Sequence, residues 1–276
     1  MKWVNMKICN PWSKVTLHNT FAYGDKNYIV KIKGVKMPFG SAQYINQINL
    51  LYPNSKLAFN CLPEPYSGNP DANVYCLNMN PGKPDPIFDK CLSNNIYFQR
   101  SLENLNHKVQ SPFWTEDLVS DSCGTNIRID PVSFGKLLTC GNTNNDYIHE
   151  GARWQYNKTK ELRKALNRNP NIFFLEYFPY HSTSGFVFPD YLPSYDYRNE
   201  LLEFAMKEGK IIFIMRKERE WYNIKYNNIG DRLKMYKKKV FLKNSQGGWL
   251  TRQNMVLPIP DNCHYCITWN DILSNM

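Results

Sequence analysis

The chain has 276 residues, 42% of them hydrophobic, enough to bury one large domain or a domain with an appendage, and this excludes a disordered polymer. Thirty-four Lys and Arg against 24 Asp and Glu leave a net charge of +10, which favours a polyanionic partner such as DNA, with a merely solubilising basic surface as the plain alternative. No apolar run approaches the roughly 18 residues of a membrane span and Met1 to Cys9 has no signal-peptide core, so we expect a cytosolic monomer without a membrane partner and with reduced thiols.

Residues 14 to 37 alternate apolar and polar positions around Gly24-Asp25 and read as a β-hairpin, within an N-terminal β-containing appendage over 1–58. A domain over 59–276 follows, entered through an irregular loop punctuated by Pro63, Pro65 and Pro70. The apolar run from Ala72 to Asn78 reads as a buried strand, ended by Pro81-Gly82. Helical pieces are expected near 89–105 and 131–139, then an amphipathic helix from Trp154 to Leu166 stopped by Asn169-Pro170. Strands at Asn171–Phe178, Lys210–Met215 and 239–243, with a helix over Pro193–Gly209, complete the pattern. Strand, helix, strand, helix, strand predicts right-handed parallel crossovers, hence a three-layer α/β/α fold with a four-stranded, mainly parallel central sheet.

Ligands of open α/β sheets bind outside the carboxyl ends of the strands, so each strand end supplies candidate site residues. The first end carries Asn78, Met79, Asn80, Pro81 and Gly82, whose amides can orient a water or read a base but cannot take a proton at pH 7. The second carries Glu176, Tyr180 and His181, where His is the natural proton carrier near neutrality and Glu176 could instead pair with Arg216. Tyr97 and Phe98 are candidate stacking rings, or core residues. Lys237, Lys238, Lys239, Lys243 and Arg252 are candidate phosphate anchors, alongside Asn244 and Gln246. Gly247 permits close backbone approach, and Trp249 or Leu250 could fill the gap left by a flipped base. Cys263-His264-Tyr265-Cys266 is a lone Cys-x-x-Cys without a second pair, so neither metal nor other cofactor is expected.

Asn78-Met79-Asn80-Pro81-Gly82 resembles the first active-site motif, Gly-Ile-Asn-Pro-Gly, of the mismatch-specific uracil/thymine branch of the uracil-DNA glycosylase superfamily. Asn80 falls on that motif's catalytic Asn. The second motif, His-Pro-Ser-Pro-Leu, has its counterpart at Lys243-Asn244-Ser245-Gln246, where only Ser245 is kept. In element order the resemblance spans residues 60 to 256. It implies a glycosylase that hydrolyses the N-glycosidic bond of a flipped base, with the stacking aromatic at Tyr97 or Phe98. Asn78 in place of the motif Gly and Lys243 in place of the motif His imply an altered base and altered leaving-group chemistry: a mismatched, damaged or modified pyrimidine, including one in foreign DNA, as readily as plain uracil. A non-catalytic nucleic-acid-binding module on the same fold is the alternative. A hydrolase of small phosphate esters is a weaker third reading, since the chain has no Gly-x-Gly-x-x-Gly, Walker-type loop or Gly-x-Ser-x-Gly.

Overall fold

A computed structural model describes residues 8–16, 18–55, 57–83, 96–113, 118–120, 126–128, 147–148, 150–183, 188–245, 247–256 and 267–276. In chain order its elements are β1 (Ile29–Ile32), β2 (Val35–Pro38), α1 (Ala42–Leu51), β3 (Leu57–Ala58), β4 (Tyr66–Ser67), β5 (Val74–Asn78), α2 (Ile96–Leu105), β6 (Leu118–Ser120), β7 (Asn126–Arg128) and β8 (Tyr147–Ile148). There follow α3 (Glu150–Leu166), β9 (Ile172–Glu176), β10 (His181–Ser182), α4 (Pro193–Lys207), β11 (Ile211–Ile214), α5 (Glu218–Tyr222), α6 (Ile229–Met235), β12 (Lys239–Leu242), β13 (Met255–Val256) and α7 (Trp269–Ser274). The helix expected at 131–139, Gln246, Cys263 and Cys266 lie outside the described residues.

The main sheet has six strands in the order β13-β12-β11-β5-β9-β4, not four. The four expected strands run parallel at its centre, and the short β4 and β13 pair antiparallel at the two edges. Every residue of β5 is buried, as a strand with protein on both faces requires. Tyr75 and Leu77 join Phe173, Leu175, Ile212 and Ile214 in one core, beneath Leu201, Leu202 and Ala205 of α4. The alternate residues, Val74 and Cys76 with Ile172, Phe174, Ile211 and Phe213, meet Leu162 of α3 and Ile272 of α7 on the opposite face.

The hairpin pivots at Lys33-Gly34, not at Gly24-Asp25. Both Lys33 (φ 44°) and Gly34 (φ 90°) have the left-handed backbone of the tight turn that suits twisted strands. Asp25 is buried instead. It accepts hydrogen bonds from the backbone N–H (2.8 Å) and hydroxyl (2.7 Å) of Ser194 and from the Tyr180 hydroxyl (2.8 Å), at the N-terminus of α4. Burial outweighs these bonds and pushes its pKa up to about 6. Trp12, Phe39 and Tyr44 share one core with Phe178 and Tyr195, so no break in packing marks residue 58. Among the described residues no helix is long and apolar enough to cross a membrane.

Candidate functional site

The chain visits the parallel strands in the spatial order β12, β11, β5, β9, so the direction of winding reverses between β5 and β11. Crevices open at such a reversal, outside the carboxyl ends. A cleft of about 390 Å³ lies there, lined by the first motif from Asn78 to Lys83, by Glu64, by Phe174 and Glu176 of β9, by Trp154 of α3 and by Arg216 just past β11.

Register brings the polar groups together. Asn78 and Glu176 are paired residues at the ends of adjacent parallel strands, and the Asn78 amide donates to Glu176 Oε1 at 3.0 Å. Glu176 Oε2 is buried with no hydrogen-bond partner. Burial raises the Glu176 pKa to about 8; the Asn78 hydrogen bond lowers it, the charge of Glu64 raises it and Arg216 lowers it. A carboxyl in this state is mostly protonated at pH 7 and can donate a hydrogen bond or a proton. Asn80 gives its amide to Ser182 Oγ at 3.0 Å, which fixes the plane of the side chain in the cleft wall. The backbone beneath is clamped: Phe178 N–H donates to the Met79 carbonyl at 2.8 Å, and Ser182 N–H to the Gly82 carbonyl at 2.9 Å. Gly82 has φ 87°, which lets the turn close after Pro81.

Several expected site residues sit elsewhere. His181 is buried and does not line the cleft. Its Nδ1 donates to the Gly82 carbonyl at 3.2 Å and its Nε2 stands 4.0 Å from Glu64, while burial pulls its pKa down to about 4, so it is neutral at pH 7 and braces the turn. Tyr180 is buried among Phe39, Phe59 and Phe178, with its hydroxyl on Asp25, and is a core residue. Tyr97 is buried with its hydroxyl 3.2 Å from Glu64, and half-buried Phe98 packs on the core; the rings that do line the cleft are Tyr66, Trp154 and Phe174.

The basic segment is divided by β12. Because β12 runs parallel to β5, Lys237, Lys238 and Lys239 lie at the amino end of the sheet, and Lys243 begins the loop at the carboxyl end. Lys238 Nζ donates to the Gly209 carbonyl at 2.9 Å and Lys239 Nζ to the Tyr236 carbonyl at 3.0 Å. These three lysines cannot anchor DNA that enters the cleft beside the loop. In that loop Asn244 Oδ1 caps Gly247 N–H at 3.0 Å, Lys158 Nζ reaches the Gly247 carbonyl, and Lys243, Asn244, Ser245 and Arg252 are exposed. Trp249 is 56% exposed, whereas Leu250 is 0% exposed and packs in the second core, so Leu250 is no wedge.

Glu64, in the proline-punctuated loop between Pro63 and Pro65, is a cleft residue. Its N–H is held by the Pro179 carbonyl at 2.9 Å, tying the Pro63–Pro65 segment to the end of β9. A carboxylate between two prolines was the available signal. Among the described residues no group of three or more His, Cys, Asp or Glu is arranged to hold a metal ion. No family model, curated protein or solved structure matches the chain.

Proposed function

We propose that the protein is a monofunctional DNA glycosylase that hydrolyses the N-glycosidic bond of a flipped uracil, mismatched or modified pyrimidine. The observation that carries the reading is the convergence of Asn78, Asn80 and Glu176 in one cleft at the carboxyl end of the parallel strands, with Asn80 on the catalytic position of the resembled motif. Asn80, its amide committed to Ser182, keeps Oδ1 as an acceptor that orients the attacking water. Water adds at C1′ as the C1′–N bond breaks and its electron pair leaves with the base. Glu176 supplies a proton to that base and the attacking water releases one to solvent, which gives leaving-group chemistry where the resembled family uses the His that Lys243 replaces. Trp249, exposed at the loop tip, fills the stack, and Lys243, Arg252 and Lys83 face the phosphates.

The test is incubation of the purified protein with duplexes carrying uracil, thymine mismatches or modified pyrimidines, scored for abasic sites. The reading expects release from at least one substrate and its loss in Asn80→Ala. The second reading, a binding module without chemistry, is favoured by the absence of an imidazole from the described cleft lining. Duplex binding with no abasic sites on any substrate would establish it.

A further inference from the structure

The first 63 residues hold eight lysines, no arginine and one acid, Asp25, so they carry +7 of the chain's net charge of +10. Asp25 is buried on Ser194 and Tyr180, and the segment therefore presents no carboxylate of its own to offset the lysines. Three of them cluster on the β1–β2 hairpin. Val30, Ile32 and Met37 turn into the core, while Lys31, Lys33 and Lys36 are exposed. Lys31 and Lys36 are direct cross-strand partners on the outward face, next to the pair Ile29–Pro38, and Lys33 occupies the turn.

Each of these positions breaks a local rule. Like charges directly opposite one another destabilise a strand pair. Lys33, at φ 44°, holds the left-handed conformation that Asn, Asp or Gly adopts at lower cost. Among the described residues none of the three side chains has a hydrogen bond, an ion pair or an aromatic ring to offset this. Local rules broken without internal compensation are expected where function demands it, and charge of one sign gathered in one part of a chain points to a polyanion.

The root of the hairpin stands at the cleft's end of the sheet. The ring of Phe39, directly after β2, lies 5.3 Å from Tyr180 and 6.3 Å from Phe178, just past the carboxyl end of β9, and Phe178 N–H is the donor that clamps the Met79 carbonyl. The N-terminus of α4, tied to Asp25, is at the same end because α4 leads from β9 back to the parallel β11. The loop with Lys243 and Arg252 follows β12, so the two basic elements flank the ends of β11 and β5, where the cleft opens.

We propose that the outward face of the hairpin, through Lys31, Lys33 and Lys36, is a second phosphate anchor that grips duplex DNA lying across the carboxyl end of the sheet. The proposal rests on the DNA-binding part of the reading above and not on its chemistry. A duplex, with one charge for about every 1.7 Å of its axis, supplies the anion density that three clustered lysines require.

Fluorescence anisotropy of the full chain with a labelled duplex of ordinary base pairs, across a salt series, tests this. Lys33→Asn suits the turn and Lys36→Glu sets a carboxylate opposite Lys31, so the double variant should hold or raise the urea midpoint. Its affinity for the duplex should nevertheless fall about tenfold or more, and its slope of log K against log salt should drop by about two. A hairpin with a merely structural role would not separate stability from binding in this way. If the double variant has no urea transition, Lys33→Asn alone is read, with a slope lower by about one. No duplex binding by the wild type, unchanged affinity and slope in the variant, or tighter wild-type binding to vesicles of anionic phospholipid than to duplex overturns the proposal. Because this duplex carries no target base, weakened variant binding beside absent base release fails the glycosylase chemistry alone, and intact base release beside an unchanged slope fails the hairpin alone.

Discussion

Two ionisable side chains, buried Lys210 and half-buried Glu176, stand at opposite ends of the same sheet and are treated differently. At the amino end, Lys210 Nζ is enclosed by the carbonyls of Pro70 at 3.0 Å and Ala72 at 2.8 Å, with Tyr75 Oη on the same Pro70 carbonyl at 2.8 Å. At the carboxyl end, Glu176 has one oxygen held by Asn78 and the other buried without a partner. Buried polar groups that a fold uses for support are paired, and one left half-paired costs stability. The amino end is therefore support, and the carboxyl end keeps an uncommitted acid beside a cleft, as a site for chemistry does.

The sharpest way to break this contrast is Asn80→Ala. Its side chain makes one described bond, to Ser182, so the fold should persist while single-turnover base release falls about a hundredfold or more. Unchanged release would remove Asn80 from the mechanism. Next in size, Lys210→Met takes its donor from the Ala72 carbonyl and leaves the Pro70 carbonyl with the Tyr75 hydroxyl, and should cost about 2–3 kcal/mol in denaturant unfolding, with release per folded molecule unchanged.

A smaller effect sharpens the same contrast through pH. The unfolded chain loses the Glu176 proton near the ordinary value of 4.5, whereas the folded protein holds it to about 8, so wild-type stability falls as pH rises through that window. Asp25, raised from 3.8 to about 6, adds a loss over its own lower window. His181 acts in the other direction: lowered from 6.5 to about 4, it removes stability as pH falls through that range. Glu176→Gln should remove this slope between about pH 4.5 and 8, most visibly above about pH 6, where the Asp25 loss has ended, in urea midpoints; an unchanged upper limb would mean that the carboxyl is not held neutral. The least change is expected from lysines. Lys243→Ala or Arg252→Ala should each reduce the salt slope of DNA affinity by about one, and Lys237→Ala or Lys238→Ala, at the other end of the sheet, should not.

The central strands were legible because continuous apolar runs such as Val74–Leu77 and Ile172–Leu175 admit little else once turn residues bound them. The edges were not: β4 and β13 are two residues long and carry no period. The hairpin turn was misplaced because Gly24-Asp25 and Lys33-Gly34 are both plausible turn dipeptides. What decided between them was Asp25 reaching 169 residues along the chain to Ser194, which no local pattern encodes. Asn78, Asn80 and Glu176 were candidates because they stand at strand ends, Asn78 and Asn80 also because of the resembled motif, and the structure brings the three to one cleft. Glu64 was hidden in a loop, and His181 was mistaken for a proton carrier because its burial depends on tertiary packing. The split of the lysines was readable in principle, since a parallel strand that starts at Lys239 must leave Lys237 and Lys238 at its amino end.

The central claim, that the protonated Glu176 acts in the cleft, is tested most directly by the pH profile of single-turnover base release from the best duplex substrate, wild type beside Glu176→Gln. The account predicts that wild-type release falls about tenfold per pH unit once pH passes about 8, where Glu176 ionises, and that the slower Glu176→Gln shows no such fall. A wild-type profile that stays flat or rises through pH 8, or a fall that persists in Glu176→Gln, would contradict it.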